Sequence, residues 1–294
     1  MSEFISLVVN GILIGGVYAL VGLAIVVIYK SSSVFNFAVG DFVMWGGFVM
    51  WTFLVAFDLP IWASILFAVV VMAIIGLLTN RLLISPMAGQ PLLAVVLLTL
   101  GLSYLLKGVH SAAWGPTWKA FPPLLPSGKL TLGSISFSAD YMWCFIIAMV
   151  AFGIFSYLFQ RTRMGLAMRA TAEDHQLARS TGISVKTIFS ATWILAALLC
   201  LVAGVLLGSV NNLGPQLADI GLKGFPVVLF GGLESVVGCI VGGIVVGVLE
   251  NLGAAYLNPL VGGGIEEVVP FVVMVLVLIF KPYGLFGLKR IERL

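Results

Sequence analysis

Charge is what this sequence has least of. Only 9% of its 294 residues are Asp, Glu, Lys or Arg, against 61% that are hydrophobic. A soluble domain is about a quarter charged. A water-soluble fold of this length could not hide so much apolar surface, so the excess must face lipid or a very large buried interface. Histidine is confined to His110 and His175, with no ligand spacing, and cysteine to Cys144, Cys200 and Cys239, each inside an apolar run. The cysteines read as small buried hydrophobes, neither a disulfide framework nor a metal set. The Gly-x-x-x-x-Gly-Lys-Ser/Thr phosphate loop is missing, and Gly128-Lys129 lacks the rest of it. The chain is therefore expected not to hydrolyse ATP itself. No Ser-His-Asp constellation stands out, because the two histidines fall on opposite sides of the membrane in the topology below. No catalytic residue, metal or bound cofactor is expected. Nucleic acid is not an expected partner either, since membrane topology accounts for the basic residues.

What is present is a succession of long apolar runs. A spanning helix needs about 20 mostly apolar residues. Spans are expected at about 4–28, 35–56, 60–83, 91–112, 141–160, 187–210, 222–234, 236–257 and 266–281. The fold class is thus all-α, a polytopic transmembrane helical bundle of about 8–9 spans in a single domain, 1–294. The first run, from Phe4 to Ile28, has no basic leader and is expected to stay as a span. The segment 222–234 is short and carries Gly224, Pro226, Gly231 and Gly232, so it is expected to be broken or re-entrant. Small residues four apart (Gly11 and Gly15, Gly204 and Gly208, Gly238 and Gly242, Gly243 and Gly247) point chiefly to tight helix packing.

Lys and Arg placement chooses the orientation. With the N-terminus outside, the cytoplasmic segments hold Lys30, Arg81, Arg161, Arg163, Arg169, Arg179, Lys186, Lys281, Lys289, Arg290 and Arg293, which is 11 of the 15 basic residues. The outer segments hold Lys107, Lys119, Lys129 and Lys223. A re-entrant 222–234 would move either the amino end or the tail, which is otherwise cytoplasmic. Two loops stand out. The outer one, about 113–140, is rich in Trp and Pro and then alternates from Leu130 to Phe137, as a short hairpin would. It is a candidate contact for an external protein, or an interfacial aromatic belt of Trp114 and Trp118.

The cytoplasmic loop, about 161–186, is basic and carries helix signals. Thr171 and Asp174 have capping-box spacing, Glu173 and Asp174 suit a first turn, Arg179 suits a last turn, and Gly182 suits the position after it. A short amphipathic helix is expected over about 172–180, showing Ala172, Leu177 and Ala178 to a partner's groove. Inside the spans, Asn36, Asp41 and Glu250 are costly to bury and are candidates for the path, with Gly40, Gly231 and Gly232 beside them. Each also has a plainer reading: Asn36 as a cap or interhelical bond, Asp41 as a partner of Lys30 or an interfacial donor, Glu250 at the outer interface.

The stretch Met164-Gly-Leu-Ala-Met-Arg-Ala-Thr-Ala-Glu-Asp, followed by Gly182-Ile183, resembles the coupling loop of branched-chain amino-acid ABC permeases. Asn10-Gly-Ile-Leu-Ile-Gly-Gly-Val-Tyr-Ala-Leu20 is similar to that family's first helix. Asn36-Phe-Ala-Val-Gly-Asp41 is similar to its Asn-Phe-Ala-His-Gly-Glu signature, with Val39 and Asp41 as departures. The glycine-rich block from Gly221 to Glu250 and the tail Lys281-Pro-Tyr-Gly-Leu-Phe-Gly287 also resemble it, with Pro226 and Glu234 unusual. The resemblance covers nearly the whole chain.

The resemblance implies a permease subunit in a bacterial inner membrane. A related second permease, two ATPase subunits docked on the loop containing Arg169, Ala172, Glu173, Asp174, Leu177, Ala178 and Gly182, and a periplasmic solute-binding protein would accompany it. ATP would be used by those partners. The implied solutes are leucine, isoleucine and valine, or the other amino acids, amides, urea or organic acids of related permeases. The rival readings are a secondary transporter using Asp41 or Glu250 and a membrane scaffold.

Overall fold

The computed structural model describes residues 2–32, 35–87, 89–133 and 135–287. Lys289, Arg290 and Arg293, which weigh in the charge asymmetry, lie outside the described residues. In lipid a backbone must satisfy its own N–H and C=O groups, so the apolar runs become helices. In chain order these are α1 (Ser2–Ser32), α2 (Val39–Trp51), α3 (Ile61–Leu78), α4 (Leu92–Trp114), a hairpin of β1 (Lys129–Leu132) and β2 (Ile135–Ser138), and α5 (Ala139–Arg161). They continue as α6 (Arg163–Glu173), α7 (His175–Ser180), α8 (Val185–Asn211), α9 (Leu217–Leu222), α10 (Gly224–Gly231), α11 (Val236–Leu252), α12 (Asn258–Val261) and α13 (Ile265–Phe280). Single π-helical turns prolong α2, α3 and α11 over Thr52–Ala56, Thr79–Ile84 and Gly253–Leu257.

Seven helical stretches are long and apolar enough to cross a bilayer: α1, α2 through Ala56, α3 through Met87, α4, α5, α8, and α11 through Val261. They fall where the apolar runs placed them. The expected spans at 222–234 and 266–281 are not among the seven. The first is broken at Lys223 into the end of α9 and α10, and the eight residues of α10 rise only about 12 Å. The second is α13, 16 residues interrupted by Pro270. The hairpin forms as the alternation predicts, with Leu130 opposite Phe137.

Burial separates central from peripheral helices. Of α1's most apolar window 89% is buried, against 22% for α4. A helix apolar on every side belongs inside other helices. By contrast α3, α4, α5 and α13 turn rows of large apolar side chains outward, such as Leu97, Tyr104 and Leu105 of α4, which suits contact with acyl chains.

The chain divides into two compact units, Met1–Val26 with Leu125–Met149 and Lys223–Leu294, and Val27–Leu124 with Val150–Leu222. In the first, α1 and α11 run antiparallel in backbone contact. Gly11 meets Gly247, and Gly15 meets Gly243, leaving no room for a Cβ at any of the four. α10 starts beside Tyr18 and Val21 of α1 and passes Gly22 through Val227. It ends where Gly231 abuts Gly238 and where the tail returns. Leu285 N–H donates to Phe230 O (2.8 Å) and Phe286 N–H to Gly231 O (3.1 Å). Within this unit the tail therefore lies at the end of α1 opposite its N-terminus. The hairpin closes on α1 from the other end, with Ser138 N–H donating to Asn10 Oδ1 (3.1 Å).

In the second unit α2, α3 and α8 pack closely. Gly204 meets Val43, Gly46 meets Leu201, and Gly76 meets the Trp193 backbone. Asn80 Nδ2, in the π turn that prolongs α3, donates to Ser190 Oγ of α8 (3.0 Å), while its buried Oδ1 has no partner among the described residues. α9 lies along α2, where Gly221 faces Gly40. α4 follows α2 in parallel. Trp45 Nε1 donates to Leu106 O (3.1 Å) and Trp114 Nε1 to Thr52 Oγ1 (2.8 Å).

Candidate functional site

The 161–186 loop folds as two short capped helices, not the single helix expected over 172–180. Thr162 caps α6, its hydroxyl accepting from Gly165 N–H (3.1 Å). Asp174 ends α6 and caps α7, Oδ1 accepting from Leu177 N–H (3.0 Å). The expected cap, Thr171, is instead buried within α6 and donates to Ala167 O (2.8 Å). Glu173 closes α6 instead of opening a helix, at the end where the macrodipole disfavours an anion. Arg179 does sit in the last turn of α7. Beyond it Gly182 has φ +85°, with Gly182 N–H donating to Arg179 O and Ile183 N–H to Ala178 O (both 3.0 Å). These paired bonds are the Schellman arrangement that favours glycine there.

Exposure within this loop also corrects one expectation. Leu177 is 65% exposed, Ala172 is half-buried, and Ala178 is only 3% exposed, so Ala178 packs inward and cannot meet a partner directly. Met164 and Leu166 of α6 join Leu177 as exposed apolar side chains among exposed Arg161, Arg163 and Arg179. Arg169 folds back, its Nη1 donating to Phe159 O and its guanidinium 5.5 Å over the Phe159 ring. It ties α6 to the end of α5.

The six candidate path residues fall into two groups, one per unit. Asn36, Gly40 and Asp41 cluster at the start of α2. Asn36 closes a local turn just before α2, its Oδ1 accepting from Ala38 N–H (3.0 Å). Gly40 gives α9 its close approach. Asp41 is 2% exposed. The Ser103 hydroxyl of α4 donates to its carboxylate, Lys107 and Asp219 are the charges that act on it, and Oδ1 has no partner among the described residues. Of the two plainer readings of Asp41, a partner of Lys30 or a nearby donor, the Ser103 contact is of the second kind.

In the first unit, Gly231 and Gly232 mark the end of α10, where Gly238 of α11 leaves no space for a side chain at the first and the tail none at the second. Glu250 of α11 is held by Lys223, Nζ to Oε1 2.5 Å, with the Lys223 ammonium also 5.7 Å over the Tyr18 ring. Lys223 had been counted with an outer loop. It is 5% exposed and sits at the break between α9 and α10. Glu250 is accordingly the part-buried partner of a buried lysine. A buried ion in a membrane span needs such a partner.

Two ion pairs occur among the described residues, Lys223–Glu250 and Lys107–Asp219. Reading the chain by hydropathy passed over Ser103, Lys107, Asp219 and the buried Lys223. A signal for the first two exists in α4. Thr99, Ser103, Lys107 and His110 recur every three or four residues and so share a face.

The family model described as branched-chain amino acid transport system / permease component matches residues 7–278. The chain is 29% identical to the high-affinity branched-chain amino acid transport system permease protein BraD of Pseudomonas aeruginosa, over 99% of this chain and 98% of that one. It is 29% identical to its counterpart LivH of Escherichia coli K12, over 99% and 97%, and 28% identical to a probable LivH of Methanocaldococcus jannaschii, over 97% and 94%. A solved chain of PsaBC from Streptococcus pneumoniae in complex with Fab covers 95% of each chain at 16% identity and TM-score 0.49, too distant to assign anything. On the family model alone, which spans all but the two ends, this chain belongs to the permease components of branched-chain amino acid transport systems.

Proposed function

We propose that the chain is the permease subunit of an ATP-driven importer of branched-chain or related amino acids. It would work with a second related permease, two ATPases and a solute-binding protein. The observation that carries this reading is the near-complete family match, together with relatives 28–29% identical that align over 97–99% of this chain. The 161–186 loop supports it. A rigidly capped pair of helices offering Met164, Leu166 and Leu177 between arginines suits a groove on a partner protein. Such a loop transmits force only if its helices do not fray, which is what the caps and the Gly182 turn provide.

The orientation that accompanies this reading puts the loop and the tail in the cytoplasm. The Lys and Arg asymmetry favours it. So does the tail's position opposite the start of α1 in the first unit. Cysteine pairs labelled from outside test this. Ser2→Cys should react with an impermeant maleimide in intact cells, and Leu285→Cys should react only after permeabilisation.

Affinity purification of the tagged chain from its native membranes, with mass spectrometry of the accompanying proteins, tests the main reading. Two ATPases and a related permease are expected. Recovery of the chain alone after gentle extraction and crosslinking, with uptake that collapses under an uncoupler while ATP remains, would assign it to ion-coupled transport instead.

A further inference from the structure

The polar face of α4 leads to a cavity in the second unit that none of the candidate residues anticipated. Its volume is about 310 Å³, at the lower end of what small-molecule pockets have. Lys107 and His110 line it from α4, Asp219 from α9, and Met44, Pro116 and Pro215 give it apolar walls.

Three features mark it as built for a ligand. His110 is 2% exposed, yet neither ring nitrogen has a hydrogen-bond partner among the described residues. Its ring packs edge-on against Phe48 and Trp114, at centroid distances of 4.3 and 5.5 Å. A buried, unsatisfied polar group needs an explanation. Next, the Lys107 Nζ and Asp219 Oδ1 stand 3.6 Å apart with side chains 43% and 64% exposed, an open pair wider than the 2.7–2.9 Å of a closed charge-assisted bond. Each still has donors or acceptors to offer. Last, Asp41 continues the polar line past Ser103, while the opposite face of α4 turns Leu97, Tyr104 and Leu105 outward. A polar stripe on one side of a membrane helix is a functional feature by default.

We infer that this cavity is a binding subsite for a free α-amino acid as a zwitterion, with Lys107 taking the carboxylate, Asp219 the ammonium, and His110 a further hydrogen bond. This rests on the importer reading above and deepens it. A zwitterion exchanges partners with the Lys107–Asp219 pair one for one, so each charge keeps an opposite charge beside it. A carboxylic acid anion would take Lys107 and leave Asp219 without a positive partner. An amide or urea would supply no charges to exchange. The apolar walls suit a short aliphatic side chain.

The test is equilibrium binding of tritiated L-leucine to the purified permease assembly in nanodiscs, without the solute-binding protein. L-leucinamide, which lacks the carboxylate, and 4-methylpentanoate, which lacks the ammonium, serve as competitors. The unaltered assembly should favour leucine over each by about tenfold or more, the worth of one charged hydrogen bond. Lys107→Gln should erase the preference over leucinamide alone, and Asp219→Asn the preference over 4-methylpentanoate alone. A purely structural role would weaken all three ligands together. Absence of saturable leucine binding, equal competition by either analogue, or unchanged selectivity in both variants overturns the inference. The ligand series on the unaltered assembly decides the matter even if a variant fails to insert. Absence of ATPases from the same preparation would count against the importer reading and leave the binding result to judge the site.

Discussion

Lys223 and Glu250 show how a charge is tolerated inside an apolar chain. Their 2.5 Å contact is nearly shut off from solvent on the lysine side. Removing Glu250 leaves the Lys223 ammonium buried and unpaired, and removing Lys223 leaves a part-buried carboxylate without its partner; losing one member of a fully buried pair costs roughly 3–5 kcal/mol. Glu250→Gln and Lys223→Met should therefore each lower the melting temperature of the purified protein sharply. The double variant Lys223→Met with Glu250→Leu should recover most of that loss. Equal melting of the single variants and the parent would show that the pair contributes nothing. Glu250 was legible in the sequence as a charge in a span, but its partner was not. Lys223 stands only three residues before Pro226, in a stretch that hydropathy alone cannot distinguish from a loop. Gly182 was legible because the turn after a helix is a local matter. Thr171 was misread because the same local rule has two solutions here, and the burial of Thr171 against neighbouring helices chose the other one.

At the scale of elements, glycine sorts into two kinds. Gly243 of α11 lies against the Gly15 carbonyl, whereas Gly101 and Gly108 of α4 have open space where a Cβ would stand. Gly243→Val should abolish recovery of monodisperse protein, while Gly101→Val should leave recovery and uptake near the parent level. Size-exclusion profiles of the two variants check this. The spacing of small residues announced the packing in advance, but not which helices would meet, because four-residue periodicity names a face and never its partner. The α6–α7 pair makes a further distinction. Leu177→Asp changes only an exposed side chain and should reduce co-purification of the ATPases while the chain inserts normally. Ala178→Asp places a carboxylate at a site 3% exposed and should disturb the loop itself. Gly182→Leu, at φ +85°, should do so more mildly, by about 1 kcal/mol. Parent-level recovery of the ATPases with Leu177→Asp would remove that face from the docking surface.

For the whole molecule, seven helices and the hairpin were readable from apolar runs and alternation, since lipid leaves the backbone few alternatives. The broken α9–α10 passage was readable only as an irregularity. Its course depends on contacts with α1, α2 and the tail that lie far away in sequence. The tail matters for that reason. Its two backbone bonds reach the last turn of α10, and ending the chain at Pro282 should lower thermal stability and yield together. The first unit draws on Met1–Val26, Leu125–Met149 and Lys223–Leu294, so its pieces do not leave the ribosome as neighbours. At about 5–20 residues per second, α1 waits roughly 10–40 s before α11 begins to emerge. Until then the Gly11 and Gly15 face of α1 has only lipid, or whatever accompanies nascent chains in the membrane, to rest against. The most enclosed of the seven candidate spans is thus made well before the helix that packs against its glycine face.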